Sequence, residues 1–238
     1  MIVVLVALAF ALPILANAAT GAGHSSLPWW EAPMTPTGLA PDPMVERLAV
    51  VQVYAAPAFS WRGAFAVHTW VAVKPAEAEA FTRYDVTGWG GGRTVKVNYA
   101  APDAQWFGKQ PILLLDRRGP EVEPLIGRIE AAVASYRYPD LYRSWPGPNS
   151  NTFVAHIARS VPQLGLDMPA NAVGKDYREW DEMVGLAPSG SGVQVSLYGL
   201  LGFTAGVQEG IEVNLLGLNL GVDPLHLSLR LPGIGRLP

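Results

Sequence analysis

The sequence predicts an α+β fold, in which antiparallel strands and two helices form one domain and a β-rich extension follows. Three observations lead to this prediction. A short apolar run typical of a buried strand occurs at residues 48–54, and alternating strands are predicted at residues 64–73, 80–89 and 94–99. Two segments with helical spacing of apolar residues follow, at residues 120–136 and 150–161, and alternation then returns after residue 190. Strands and helices segregated in this way are typical of the α+β class.

The composition limits the classes of function. The chain has 238 residues, enough for one substantial domain, and its formal charge of −3 gives no reason to expect nucleic acid as a partner. The absence of cysteine excludes disulfides, thiolate zinc sites and a cysteine nucleophile. The four histidines lack metal-ligand spacing and no phosphate-binding loop is present, so we expect neither a metal nor a cofactor.

Four segments are predicted along the chain. Residues 1–19 form a hydrophobic helix that is a signal peptide or a membrane anchor, and residues 20–46 form a Pro-rich linker. Residues 47–190 form the α+β domain. Residues 191–238 form a β-hairpin extension, which we expect to pack on that domain.

The N-terminal segment gives the strongest topological signal. Ala16-Asn17-Ala18 is a small-x-small tripeptide suited to signal peptidase, and the apolar stretch Ile2–Ala19 approaches the length that spans a bilayer. We therefore expect the membrane as a partner through this helix. The domain then either faces the periplasm from the inner membrane, or is periplasmic after cleavage near Ala18. No basic residue precedes Arg47, so charge does not set the orientation.

Two adjacent tryptophans, Trp29 and Trp30, lie in the linker. Tryptophans just beyond a hydrophobic segment suit a membrane interface. The same pair can instead pack on the domain as a flap, and the sequence does not distinguish these two arrangements.

The strands are predicted from side chains that alternate between two faces with a period of two residues. In residues 64–73, alternation places His68 on one face with Ala66 and Trp70, and the more apolar residues on the other. Residues 80–89, which include Asp85, are the expected hairpin partner of this strand.

The helices follow from apolar spacing and from their ends. Pro120 suits the first position of the helix at residues 120–136. Pro146, Gly147 and Pro148 prevent a helix before Asn149, so the next helix begins near Ser150, with Asn149 or Ser150 as its cap.

The tail predicts three strands, at residues 193–197, 211–215 and 225–231, separated by turns at residues 204–206 and 222–224. Leucines between these runs add apolar surface that three strands do not fully bury. Such surface contacts the domain core, a lipid face or a partner protein, and we expect a membrane protein as a candidate partner.

The candidate catalytic residues are Ser150 and His68. A hydroxyl at a helix N-terminus lies in a positive field, and a histidine within an apolar strand needs a hydrogen-bonding partner. Together they supply the nucleophile and general base of covalent catalysis, with Asp85, Tyr84 or Asn149 available to orient the imidazole. Each also has a structural interpretation, with Ser150 as a helix cap and His68 as a hydrogen-bonded core residue.

The remaining polar candidates are weaker. His156 lies six residues after Ser150, on another helix face, and His226 alternates with leucines on an outward face. Lys175 and Asp176 follow a glycine and are expected to form a loop salt bridge.

Several motifs resemble the bacterial family known as domain of unknown function 3750. They are residues 65–74 around His68, 84–89 around Asp85, 145–153 around Ser150, Gly174-Lys175-Asp176-Tyr177, and the tail motifs at residues 195–202 and 210–218. The resemblance extends from about residue 50 to the C-terminus. It implies a membrane-associated or exported protein of unestablished activity.

A more distant resemblance is to the circularly permuted papain-like domains of the NlpC/P60 superfamily, including the lecithin–retinol acyltransferase-like proteins. In those domains a strand histidine precedes a helix that begins with an Asn-Cys-x-x-Phe-like motif. His68 matches the histidine, and Asn149-Ser150-Asn151-Thr152-Phe153 matches the helix start with Ser150 in the cysteine position. The resemblance implies a permuted papain-like core of antiparallel strands with two helices.

Two classes of function follow. The missing cysteine and the surplus apolar surface favour a noncatalytic binding module or accessory subunit of a membrane complex at the cell envelope. The alternative is a serine-dependent hydrolase or acyltransferase that acts on envelope amide or ester bonds. In that enzyme Ser150 attacks, His68 is the base, and Asp85 or Asn149 orients the imidazole.

Overall fold

Three helices and two antiparallel sheets are present in the computed structural model, which describes residues 1–22, 24 and 27–238. The helices are α1 (Ile2–Ala19), α2 (Glu123–Ala134) and α3 (Ser150–Ser160). The first sheet has the order β4-β3-β2-β1-β5 and contains β1 (Val50–Pro57), β2 (Val67–Lys74), β3 (Thr82–Val86), β4 (Val95–Val97) and β5 (Ile112–Arg118).

The second sheet lies in the C-terminal part and has the order β12-β11-β10-β9-β8-β7-β6. Its strands are β6 (Val184–Leu186), β7 (Gly192–Leu197), β8 (Leu201–Gly206), β9 (Gly210–Leu215), β10 (Leu218–Asp223), β11 (Ser228–Leu231) and β12 (Gly235–Leu237). The predicted α+β class, with antiparallel sheets and a β-rich C-terminal part, is therefore confirmed.

The main hydrophobic core lies between the first sheet and the helices α2 and α3. Helix α3 packs on β2, and α2 packs on α3. One face of α2 is buried, including Ile126 and Ile129, and it packs in the same core as strand residues such as Val53 and Val71. Burial of these side chains away from water is what holds the helices on the sheet.

The opposite face of the first sheet carries an aromatic layer. Trp70 of β2 stacks on Tyr54 of β1 with ring centroids 5.5 Å apart, and Trp106 packs beside them. The linker residues Ala32, Met34 and Leu39 pack against this layer. The linker therefore covers part of the sheet face that carries His68.

Asp103 fixes the linker in that position. Its Oδ2 accepts hydrogen bonds from the backbone N–H of Thr37 at 3.1 Å and of Leu39 at 2.8 Å. Trp29 and Trp30, by contrast, remain more than half exposed and contact each other edge to face. This exposure does not fit the flap arrangement.

The N-terminal helix is present as expected. Its C-terminal end lies against the rest of the protein, where Nδ2 of Asn17 donates to the carbonyl oxygens of Ala64 at 2.8 Å and Gly233 at 3.0 Å. Within the described ranges, no helix combines the length and the apolar character required to cross a membrane. The membrane-spanning form of the leader predicted from the sequence is therefore not found.

The predicted organisation of the tail is wrong in its number of strands and in its turns. Residues 204–206 continue β8, and β10 extends to Asp223. The polar residues that suggested turns face the covered side of the sheet, where Thr204 accepts a hydrogen bond from Gln194 Nε2 at 3.0 Å. The third predicted strand begins only at Ser228, because Asp223 Oδ1 accepts the backbone N–H groups of the preceding turn.

Buried charges join the second sheet to the preceding chain. Nζ of Lys175 lies 2.9 Å from Asp176 Oδ1 and 2.6 Å from Oε2 of Glu212 on β9. Glu212 also accepts from Nε of Arg230 at 2.5 Å, and Arg230 binds Asp167 at 2.7 Å. The expected ion pair of Lys175 and Asp176 is present, but it is buried within a network. Although burial lowers the pKa of Lys175, the two carboxylates outweigh it and raise that pKa.

Candidate active site

The start of α3 is fixed by a capping asparagine between two glycines. Oδ1 of Asn149 accepts the N–H groups of Asn151 at 2.9 Å and Thr152 at 3.2 Å, and Oγ1 of Thr152 accepts the N–H of Asn149 at 3.1 Å. This is a capping box. Gly147 and Gly174 have φ angles of 139° and 100°, and a side chain at Gly174 would collide with the amide of Asn149. Of the two caps considered, Asn149 is the one used.

Ser150 is the first residue of α3, and its hydroxyl and its backbone N–H are unpaired among the described residues. The residue is 3% exposed, yet its Oγ hydrogen-bonds to no residue that the structure describes. Asn149 accepts the N–H groups of the three residues that follow Ser150. The N–H of Ser150 itself has no partner in the described ranges. A hydroxyl oxygen and an unused donor therefore lie together in the positive field of a helix N-terminus.

His68 lies on β2, and its ring is held by a stacking contact on one face and by a hydrogen bond at one edge. The imidazole stacks on the indole of Trp106, with centroids 3.6 Å apart and planes 6° from parallel. Its Nε2 lies 2.8 Å from Oδ1 of Asp85 on β3. The ring is 5% exposed. Stacking and the hydrogen bond together leave it one orientation.

The register of β2 with β3 explains why Asp85 reaches His68. Ala72 pairs with Arg83, and Val71 pairs with Tyr84. Arg83 and Asp85 therefore share the face of His68, whereas Tyr84 lies in the core on the helix side. Asp85 is thus the group that orients the imidazole, and Tyr84 does not.

Asn149, the other predicted orienting residue, is used elsewhere. Its Nδ2 donates to the carbonyl oxygens of Ser144 at 3.2 Å and Val173 at 3.1 Å, while its Oδ1 caps the helix. Its side chain positions Ser150 through the backbone and makes no hydrogen bond with His68.

The tautomer of the neutral His68 ring follows from its partner. Burial would raise the pKa of Asp85, but the charges of His68 and Arg83 and their hydrogen bonds together lower that pKa to about 2. Asp85 is therefore a carboxylate, which only accepts hydrogen bonds, so Nε2 of His68 carries a proton. In the neutral imidazole, Nδ1 is then the unprotonated and basic nitrogen.

Arg83 completes the arrangement behind His68. Its Nη2 lies 2.6 Å and its Nε 3.2 Å from Oδ2 of Asp85, and its guanidinium lies 4.2 Å from the ring centroid of Trp70. The sequence reasoning did not select Arg83, although its spacing of two residues from Asp85 on one strand was a usable signal. Trp106 was also missed, because it lies in an irregular segment without periodicity.

Ser150 and His68 line the same cavity, which has a volume of about 550 Å³. Its walls are mostly apolar and also carry Arg62, and their aromatic residues are Phe59, Trp61, Phe65, Trp89, Trp106, Tyr142 and Trp145. The two residues are not hydrogen-bonded to each other in this structure. Catalytic hydrogen bonds are often longer without substrate than in the reacting complex.

The other polar candidates lie away from the cavity. His156 contacts the carbonyl oxygen of Ala132 at 2.9 Å, and burial lowers its pKa. His226 is half exposed and its Nδ1 contacts Asp223 at 2.7 Å. Within the described ranges, no group of three His, Asp or Glu side chains is arranged to hold a metal ion.

Comparisons with known proteins give one match. No curated protein and no solved structure matches the chain. The model of the family described as "Protein of unknown function (DUF3750)" matches residues 48–177, a range that includes His68, Asp85 and Ser150 and covers more than half of the chain. The chain therefore belongs to the DUF3750 family.

Proposed function

We propose that the protein is a serine-dependent hydrolase or acyltransferase that acts on ester or amide bonds of the cell envelope. One observation carries the proposal. Ser150, whose Oγ is unpaired, and His68, whose Nε2 is held by Asp85, line a single cavity. This pairing favours catalysis over the noncatalytic module preferred from the sequence, because a basic nitrogen oriented by a buried carboxylate and an unpaired hydroxyl share one cavity.

In the proposed reaction, Oγ of Ser150 attacks the carbonyl carbon of the substrate while Nδ1 of His68 takes the hydroxyl proton. The tetrahedral intermediate collapses when the protonated His68 gives this proton to the leaving group. Water or a second acceptor then attacks the acyl-serine, again with its proton passing to Nδ1. The bond between the acyl carbon and Oγ of Ser150 then breaks, and the proton on Nδ1 returns to Oγ, which restores the free serine. Asp85 stays ionised throughout and stabilises the imidazolium.

The unpaired N–H of Ser150 is the proposed donor to the negative oxygen of the intermediate. It belongs to the first residue of α3, so the field of the helix also favours the negative charge. Preorganised backbone donors of this kind contribute strongly to acyl transfer.

A permuted papain-like core is part of the proposal. The strand histidine precedes the helix that carries the nucleophile position, and α3 packs on the histidine strand β2. Ser150 stands where such domains carry cysteine. A serine hydroxyl is less acidic than a thiol, so this site depends more heavily on His68 and Asp85.

The substrate class follows from the walls of the cavity. Aromatic rings such as Trp61, Phe65 and Trp145 line it, which favours an acyl group with an apolar chain. A location at the envelope, facing the periplasm, is likewise a proposal. It rests on the apolar segment at residues 1–19, retained as helix α1.

A binding module or accessory subunit is the second candidate. The absence of a hydrogen bond between Ser150 and His68, together with the apolar walls, favours a pocket that holds an apolar ligand without turnover. In that case the ligand binds equally well to the wild type and to a variant that lacks the hydroxyl of Ser150.

Labelling with an alkyl fluorophosphonate separates the two candidates. The purified chain is compared with Ser150→Ala, His68→Ala and the matched control Ser144→Ala, which removes a second serine from the same cavity. The catalytic proposal predicts labelling of the wild type and of Ser144→Ala, and loss of labelling in the other two. A folded wild-type protein that stays unlabelled contradicts catalysis and leaves the binding module.

A further inference from the structure

The outer face of the second sheet carries continuous rows of apolar side chains. The strand register aligns the first row across all seven strands, as Leu186, Val193, Ala205, Ile211, Val222, Leu229 and Leu237. A second row contains Val184, Val195, Phe203, Val213 and Leu220. A third contains Leu197, Leu201, Leu215 and Leu218. These three rows, which we call the outer face, include no polar or charged residue.

The inner face of the same sheet has the opposite character. Its rows carry Gln194, Ser196, Thr204, Glu212, Asn214, Asn219 and Arg230, all of them buried. Glu212 and Arg230 belong to the buried ion-pair network with Lys175. The sheet is therefore polar where the rest of the chain covers it and apolar where no described residue covers it.

The outer face is as large as the largest apolar patches of ordinary monomers. Its seven strands contain 34 residues, and a spacing of about 4.8 Å between strands and about 3.3 Å per residue gives an area of about 540 Å². The largest apolar patch on an ordinary monomer measures about 300–600 Å². The exposed side chains of the face keep between 38% (Leu215) and 64% (Val184) of their surface accessible.

Helix α1 adjoins the outer face and extends the apolar surface. Ile14 of α1 lines the cavity together with Leu218 of the third row, and Asn17 is bonded to Gly233 in the turn between β11 and β12. Beyond this contact α1 exposes apolar side chains on several sides, namely Val4, Leu5, Leu8, Leu12 and Leu15. Residues of both apolar elements thus line the cavity.

We propose that the outer face and α1 together form a docking surface for a phospholipid bilayer, on which the protein lies without crossing it. A second copy packed sheet to sheet would cover the outer face but would leave α1 exposed. A bilayer covers both elements at once, and an entirely aliphatic and aromatic face without hydrogen-bonding groups suits acyl chains. With a formal charge of −3, the chain offers no net electrostatic attraction to anionic lipids, so we expect binding to neutral lipid.

Flotation of the full chain with phosphatidylcholine vesicles tests the proposal. The double variant Phe203→Asp/Val213→Asp places charges at the centre of the outer face. The matched control, Val97→Asp/Ile112→Asp, changes two similarly exposed strand residues on the first sheet. We expect the wild type and the control to float, and the outer-face variant to partition at least tenfold less. Equal flotation of the two variants overturns the proposal, as does a wild type that does not float.

A second measurement does not depend on introducing charge. The chain contains no cysteine, so single nitroxide labels can be attached at Val213→Cys or Ile112→Cys. On addition of the vesicles, we expect the label at residue 213 to gain accessibility to dissolved oxygen and the label at 112 to remain unchanged. If the oxygen accessibility of the label at residue 213 does not change, the outer face does not bind lipid. The same conclusion follows if sedimentation equilibrium shows a dimer that Phe203→Asp/Val213→Asp dissociates. Ser150→Ala should float like the wild type, which separates this proposal from the proposed catalysis.

Discussion

Asp85 accepts a 2.8 Å hydrogen bond from Nε2 of His68 across two neighbouring strands, and both side chains are buried. This contact fixes the tautomer in which Nδ1 is basic, as the proposed reaction requires. It also depends on strand register, because Asp85 reaches His68 only if β3 pairs with β2 as observed.

Replacing Asp85 with asparagine should abolish most of the proposed reactivity. An amide in this position donates as well as accepts, so it no longer enforces the proton on Nε2. We expect the rate of fluorophosphonate labelling to fall by roughly 10²- to 10⁴-fold. The control is Asp116→Asn, which changes a partly exposed carboxylate on β5 and should label at the wild-type rate. Equal rates for the two variants would show that Asp85 does not orient a base.

The stability of the protein should fall in acid partly through Asp85. Its pKa of about 2 lies below the ordinary value, so its contribution is present above about pH 4 and is lost as the pH falls toward 2. The shift corresponds to about 2 kcal/mol. Urea unfolding at pH 5, 4 and 3 should show that the wild type loses more stability than Asp85→Asn over this range. Parallel curves for the two proteins would contradict the lowered pKa.

Gly174→Ala should destabilise the protein, because Gly174 has a φ of 100° and a Cβ would collide with the side chain of Asn149. We expect a loss of at least about 1 kcal/mol in the free energy of unfolding. Gly127→Ala is the matched control. That position lies within α2 with open space around a Cβ, and the change should stabilise by about 0.5–1 kcal/mol. If both variants shifted the free energy of unfolding in the same direction, the packing around Gly174 described here would be wrong.

Lys175→Met should strongly destabilise the junction between the second sheet and the rest of the chain. It leaves Asp176 and Glu212 buried with one cation fewer, which costs about 3–5 kcal/mol when a buried pair is broken. The exposed pair of Arg47 and Glu77, 3.6 Å apart, is the comparison, and Arg47→Met should cost less than about 1 kcal/mol. Chemical denaturation measures the free energy of unfolding of both variants. Similar losses would show that the buried network is not the main connection between the second sheet and the rest of the chain.

The sequence predicted the helices well because their ends carry local signals. Asn149 after Pro146-Gly147-Pro148 defines the start of α3 from neighbouring residues alone, and Pro120 lies just before α2. His68 and Ser150 were selected for the same reason, since each stands out within its own segment.

The features that the sequence did not predict depend on contacts between distant residues. Choosing Asp85 over Tyr84 requires the register of β2 and β3, which simple alternation does not specify. In the tail, Thr204 and Asp223 resemble turn residues but face a buried polar network. Its partners lie elsewhere in the chain, so local polarity gave the wrong turns.

The most direct test of the central claim is the position of the covalent adduct after reaction with the fluorophosphonate. Peptide mass spectrometry of the labelled wild-type protein should find the added phosphonyl group on Ser150, at a yield that falls strongly in His68→Ala. An adduct on Ser144 or another hydroxyl, or no adduct on the folded protein, would contradict the proposal that Ser150 is a base-activated nucleophile.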